Sequence, residues 1–598
     1  MKKLFLFLTL AFVIFFSPIS FGQKNDFKWL LGYGTSNPID TNWGITIMDF
    51  NTDDGNPILR YDGNKRIQFA ITSAIISDDN GEYLFSCNGS YIEDSTGHLM
   101  LNGDKLSDGA RKYNDIGEVA LQGALILPFP GDKSKYILFH TLESSLPDYG
   151  ITNPEYFYSI VEQSTNYPKG KVIHKRKSFL RDTLSENVSA VKHANGRDWW
   201  IVINEGNHIG YYVYLLSDKG IELKSKQTFE GFRGSGGFGL SFFSNDGKYF
   251  ATAVSAGSSL ANAWNYLYFF TFDRCTGELG NLNYKRFPYQ PTWGTGCSFS
   301  SDSKLLYVAT ADTIYQFEIS GNELKNQRRI AGYDGYAEIV VPPNSGYLTE
   351  FGMLQLAPNG KIYGMLPLGS YRSLDVINNP NLIGKDCDFK PHSVWSPTVK
   401  TAIPSFPNFR LGPIDGSTCD TLGIDNIPWC HWRYDQDTSD YLNFNFTDLS
   451  AYEVEQWCWN FGDPKSDSND SMKKNPNHRF SGNGVYDVTL IVKNSNGSDT
   501  LLRTIKIGNV VSTKDESIIP DIQMWPNPCK DYFVVNVLDY NPEKMILHLF
   551  NNLGKELITQ RLYQGSNIFD AGFLSSGEYH ILIHENGKEL RTETLIKL

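Results

Sequence analysis

Along most of this chain the apolar positions fall in alternating runs of about four to eight residues, set apart by polar turns. At 299–310 the sequence reads Phe-Ser-Ser-Asp-Ser-Lys-Leu-Leu-Tyr-Val-Ala-Thr: a strand end, a tight polar turn, and a new strand. The same grammar returns as Phe-Ser-Asn-Asp-Gly-Lys-Tyr-Phe at 243–250 and as Leu-Ala-Pro-Asn-Gly-Lys-Ile-Tyr at 356–363. Degenerate copies stand at 76–83, 130–136 and 193–199. Asp302 follows Asp246 by 56 positions, and Asn359 follows Asp302 by 57. A period of this length, built from turns and strands, predicts a β-propeller over 24–424. Six turn signals, with aromatic openings at 27–31 and 43–47, predict six or seven blades. Seven is preferred, with strands from both ends of the region sharing the closing blade. Helical spacing of apolar residues is hard to find, so the chain is read as all-β.

Two further patterns follow. Between 430 and 508, Trp457, Trp459 and Phe461 alternate towards one face before Gly462-Asp463-Pro464 breaks the strand. Tyr486, Val488, Leu490 and Val492 then share a face, and Asn496-Gly497 turns the chain into a last strand. A small β-sandwich is expected here. Residues 509–520 form a polar linker. From 521 to 598 the order Trp-Pro-Asn-Pro at 525–528, then strands at 533–537, 549–557, 574–583 and 594–598, predicts a second small sandwich.

These modules resemble known families. Gly-Ala-Leu-Ile-Leu-Pro-Phe-Pro at 123–130, Leu-Asp-Val-Ile-Asn-Asn-Pro-Asn at 374–381, Phe-Pro-Asn-Phe-Arg-Leu-Gly-Pro at 406–413 and Asp-Thr-Leu-Gly-Ile at 420–424 look like the propeller-like ectodomains of secreted Bacteroidetes proteins. Trp459, Phe461, Gly462, Asp463 and Tyr486 fall in motifs that resemble a PKD domain, an immunoglobulin-like sandwich. Pro464 stands where that family usually has Gly. The tail resembles the type A C-terminal sorting domain of the type IX secretion system. That resemblance implies passage to the outer surface or the medium, with the secretion machinery as a partner, and trimming of the tail with release or surface attachment.

Composition agrees with many short strands: the aromatic share is 14%, and Gly numbers 53. The formal net charge of −12, with no basic run, argues against nucleic acid as a partner. Lys2 and Lys3, the apolar stretch 4–16 and the small residues before Gln23 read as a signal peptide over 1–22. The apolar stretch is too short for a transmembrane span, and no later segment reaches that length. Export makes disulfides available to the eight cysteines. Nearest-neighbour pairing would join Cys275 to Cys297, Cys387 to Cys419, and Cys430 to Cys458, leaving Cys87 and Cys529 free.

Candidate chemistry is thin. The loop 49–55 departs from a calcium-binding EF-hand, with Gly one place late and Arg60 at the twelfth position, so a polar hairpin turn is expected. The adjacent Asp246-Gly247 does not fit a sialidase Asp box. Asp78 and Asp79 face opposite ways on an extended chain and form no hydrolase dyad. His140, His174, His193 and His208 have no ligand spacing, so no metal site is expected. Gly234 to Gly239 lacks the Lys and Ser/Thr of a phosphate loop. Trp43, Trp264 and Trp293 could stack on sugar rings or serve packing. No catalytic residue, cofactor or metal ligand is assigned. The sequence therefore reads as a secreted or cell-surface binding or adhesion protein rather than an enzyme. The propeller would serve as platform for polysaccharide or a surface protein and the PKD module as spacer. The alternative is a propeller-type polysaccharide lyase or hydrolase with an accessory PKD domain.

Overall fold

The computed structural model describes residues 24–33, 43–107, 116–141, 144–146, 150–206, 210–230, 238–256, 264–288, 295–338, 347–508, 521–530, 532–538, 545–562, 565–585 and 588–598. The expected signal peptide and linker, with His208 and Trp293, lie outside them. Among the described residues every sheet is antiparallel, and the one helical element is a 3-10 turn at Gly384–Cys387.

The N-terminal region is a succession of antiparallel meanders. The first unit pairs Lys28–Tyr33, Gly44–Asp49 and Ile58–Asp62, and the second Ala74–Ser77, Tyr83–Cys87 and Ile92–Asp94. A third and a fourth are joined through the continuous strand Tyr167–Lys192. Its first part pairs with Gly150–Ser164, and its last part with Trp199–Glu205. The fifth begins at Phe238–Phe243, the sixth at Gly296–Phe299 and the last at Met353–Leu356. Apolar side chains from facing sheets fill the space between units, with Trp29, Trp199, Tyr211, Tyr268 and Tyr307 fully buried. The result is a propeller-like ring.

The repeated turns explain the repeated hairpins. Ser244 Oγ donates to Asp246 Oδ1 at 2.6 Å and accepts from Tyr249 N at 3.0 Å. Ser300 repeats both bonds with Asp302 and Leu305 at 2.7 and 2.9 Å. Gly247, at φ +71°, supplies the left-handed residue that such a turn requires. Neighbouring turns also clasp one another, since Asp246 N donates to Ser303 Oγ at 3.0 Å.

The ring closes where Thr46 Oγ1 meets Thr398 Oγ1 at 2.7 Å and Ser396 Oγ at 2.9 Å. The chain then crosses the turn-bearing face. Phe406 stacks on Trp29, Phe409 meets the edge of Trp199, and Arg410 grips Asp26 with two bonds of 2.6 and 2.8 Å. Asn408 Nδ2 donates to Asn245 O, and Ile414 N to Ala194 O. This one segment therefore ties together units far apart in the sequence.

The PKD-like sandwich sets Trp432–Gln436, Asn443–Asp448 and Asn477–Arg479 against Gln456–Asn460, Gly484–Asn494 and Gly497–Ile507. Trp459 and Phe461 lie in its core. Asp463 accepts from Ser481 N and Oγ at 2.7 and 2.6 Å, and Tyr486 Oη donates to Gly482 O at 2.8 Å. Gly462 takes the positive φ at +66°, so Pro464 is not asked to. The sandwich is docked on the ring. Arg503 donates to Thr52 O at 2.6 Å and to Asp53 O, Tyr434 N donates to Asp54 O, and Phe27 packs against Trp429 and His431. The polar hairpin at 49–55 is thus a docking loop.

The tail is a second sandwich, with Phe533, Val535, Leu547, Leu549, Ile581 and Ile583 inside. Trp525 stacks on Tyr61, with centroids 5.9 Å apart.

The cysteine pairing differs from the nearest-neighbour expectation. Cys275 is bonded to Cys419, 144 positions away, because the segment that crosses the ring brings 414–420 to the fifth unit. Among the described residues Cys297, Cys387, Cys430 and Cys458 form no disulfide, and neither do Cys87 and Cys529. Cys297 points into the core between units, where burial pushes its thiol up to about 12. Cys430 Sγ lies against Leu490 O inside the sandwich, and Cys458 stands half-buried on the strand Gln456–Asn460 that pairs with Gly484–Asn494.

Candidate functional site

The docked sandwich and the ring enclose a polar groove of about 590 Å³. Its walls carry Asn378, Asn379 and Asn381 from the ring, and Asn445, Asn475 and Asn477 from the sandwich. Two Asn-Pro-Asn segments, 379–381 and 475–477, thus line one space. Each is pinned through its proline carbonyl: Pro380 O accepts from Tyr307 Oη at 3.0 Å, and Pro476 O from Phe446 N at 2.9 Å. Proline fixes φ at both places, which stiffens the walls. Side chains add to this. Asn381 bonds Ser301 Oγ and Asp302 N, Asn378 bonds Asp388 Oδ2 at 2.9 Å, and Asn475 Oδ1 accepts from Asp448 N at 2.8 Å.

Charge sits at the base of the groove. Arg433 donates to Asn359 O at 2.8 Å and to Asn378 O at 3.3 Å, and it pairs with Asp435. Lys361 contacts Asp435 at 3.1 Å. Burial, with Arg433 beside it, lowers the Lys361 ammonium to about 8. An amide offers both a donor and an acceptor on a planar head. Six amides over paired charges suit a neutral, hydroxyl-rich ligand better than a lone anion.

A second cleft, of about 790 Å³, opens on the turn face between Asp246, Lys248, Glu453, Trp457 and Lys474. Lys474 Nζ lies 5.4 Å from the Trp457 ring, and Glu453 holds φ +53°. On the outside of the last unit, Asp375 accepts from His392 N at 2.9 Å. That bond comes from the His392 backbone; of the ring nitrogens, Nε2 lies 3.3 Å from Asp334 and Nδ1 3.6 Å from Asp375. Burial raises Asp375 to about 7 and lowers the nearby Lys400 to about 7.

Of the four histidines read from the sequence, the three that are described are not brought together. His140 is sealed against Phe157, His193 lies beside Trp200, and His174 is exposed on a strand. Among the described residues no group of three or more His, Cys, Asp and Glu is arranged to hold a metal. Trp264 carries Arg286 over its ring at 4.2 Å. Sequence reasoning missed the groove. Its one signal was the repeated Asn-Pro-Asn, which stands in segments 96 positions apart and says nothing of facing.

Comparison with known proteins bears on two of the three modules. Residues 433–507 match the PKD domain model, and residues 523–597 match that of the secretion system C-terminal sorting domain. No curated protein matches the chain. Among solved structures, a PKD domain of a Vibrio cholerae metalloprotease is 24% identical, covering 14% of this chain and 96% of its own at TM-score 0.12. A putative 6-phosphogluconolactonase from Bacteroides fragilis is 12% identical, covering 81% of this chain and 96% of its own, TM-score 0.31. A functionally unknown protein from Desulfotomaculum acetoxidans is 13% identical, covering 63% and 99%, TM-score 0.34. At such identities and scores these likenesses carry nothing about ligand or activity. No helix among the described residues is long and apolar enough to cross a membrane. The chain thus joins a propeller-like all-β ectodomain to a PKD domain and to a sorting domain that marks it for type IX secretion, to the outer surface or beyond.

Proposed function

We propose that this is a non-enzymatic binding protein of the cell surface or medium, with the groove between ring and PKD domain as its polysaccharide site. In this reading the ring has seven blades, and the PKD domain is a wall of the site rather than a spacer. The observation that carries it is the pair of pinned Asn-Pro-Asn segments lining one groove of ligand size. Hydroxyl groups of a sugar chain would bond the Asn amides, while Lys361, Arg433 and Asp435 would anchor one end. The test is a glycan array with whole-cell binding on the mature chain. Binding to a neutral polysaccharide is expected, weakened about tenfold or more by Asn379→Ala with Asn477→Ala, in line with the loss of two hydrogen bonds. No binding across the array, or binding unchanged in the double variant, overturns the proposal.

The His392 imidazole set between two carboxylates, with Nε2 3.3 Å from Asp334 and Nδ1 3.6 Å from Asp375, favours a second reading, a polysaccharide lyase or hydrolase. Turnover on a polysaccharide panel, lost in His392→Gln, would decide for it.

A further inference from the structure

The sorting domain carries two imidazoles that meet head to head. Strands Met545–Asn551 and Gly577–Glu585 pair with Ile546 opposite His584 and His548 opposite Leu582. Met545, Leu547 and Leu549 are buried on the core side, so His548 stands on the outer face. His584 shares that face, since Ile583 beside it belongs to the core. The two Nε2 atoms lie 2.8 Å apart, with ring planes 14° from parallel and centroids separated by 4.8 Å.

The other nitrogen of His548 is already committed. Its Nδ1 meets the Glu556 carboxylate and lies 3.3 Å from Thr559 Oγ1. A carboxylate there holds the proton on Nδ1 and leaves Nε2 with its lone pair directed at His584. His584 then has two states. With its proton on Nε2 it donates to His548, and its buried Nδ1 keeps no partner among the described residues. With its proton on Nδ1, two lone pairs face each other across the gap. A cation between them satisfies both rings, and the carboxylate behind His548 is the support that metal-bound histidines commonly have.

We infer that His548 and His584 form an open site for a borderline divalent cation of the zinc class, with Glu556 orienting His548. Imidazole nitrogens on one tetrahedral zinc stand about 3.3 Å apart, given bonds of about 2.0 Å. The rings need open by only about half an ångström to accept the ion. Two coordination positions remain for water or for a donor from a partner. The cation would pin two neighbouring strands and place a positive charge on an outer face of the sorting domain.

Zinc titration of the untagged chain 23–598, with its sorting domain retained, by calorimetry tests this, together with copper(II) electron paramagnetic resonance. One zinc per chain is expected, lost in His548→Gln and in His584→Gln, and bound about ten- to a hundredfold more weakly in Glu556→Gln. The copper spectrum is expected to carry the splitting of two imidazole nitrogens. Zinc binding equal in all variants, or no stoichiometric binding in the parent chain, overturns the inference. If a glutamine variant fails to fold, the parent copper spectrum decides alone: one nitrogen or none contradicts the site.

Discussion

His140 lies with its ring against Phe157, 5.5 Å between centroids, where the third unit admits no water. Burial, with Arg176 nearby, pushes its pKa down to about 3 from the ordinary 6.5. The folded value lies below the unfolded one. Stability is therefore whole above the unfolded pKa and is lost as the pH falls towards the folded one, by up to about 1.4 kcal/mol per pH unit. Denaturant midpoints measured from neutral pH down to the acid side should fall steeply in the parent chain. His140→Gln should be less stable at neutral pH yet show a shallower acid limb. An unchanged slope would remove His140 from the account. His140 could be placed on a strand from sequence, but its burial depends on a neighbouring strand that no local pattern names.

At the scale of elements, the turn is the unit that sequence reveals best. Ser-x-Asp turns bond within five residues, so Ser300, Asp302 and Leu305 carry their own geometry. Asp302→Ala should cost about 1 kcal/mol in equilibrium unfolding, the scale of one capping bond. Gly247→Ala should cost about 1–2 kcal/mol, because the residue holds φ +71°. A methyl there would also stand 2.6 Å from Arg274 Cδ. What local chemistry cannot reveal is closure over distance. The disulfide joins Cys275 to Cys419, separated by 144 positions, and it exists because Phe406, Phe409 and Arg410 lead the chain across the ring first. Cys275→Ser should lower stability by about 2–5 kcal/mol under oxidising conditions. A non-reducing peptide map should show this one bridge.

At the scale of the molecule, the docking of the PKD domain decides what the groove is. Hairpin 49–55 was legible as a polar turn, but its carbonyls become acceptors only when Arg503 arrives from 450 positions away. The same holds for Arg433, whose partners Asn359 and Asn378 lie on the ring. Removing a buried guanidinium that serves backbone carbonyls costs about 1.5–3 kcal/mol. Arg433→Ala should thus loosen the domain from the ring and enlarge the particle in small-angle scattering, while both modules keep their own folds. A variant as compact as the parent would show that other contacts hold the interface.

Hydrogen exchange on the full mature chain, with and without a saturating bound polysaccharide, tests the central claim most directly. Protection is expected in 378–381 and in 475–477 together, since one ligand would touch both walls of the groove. Protection confined to loops elsewhere on the ring, or found in one of these segments alone, would contradict it.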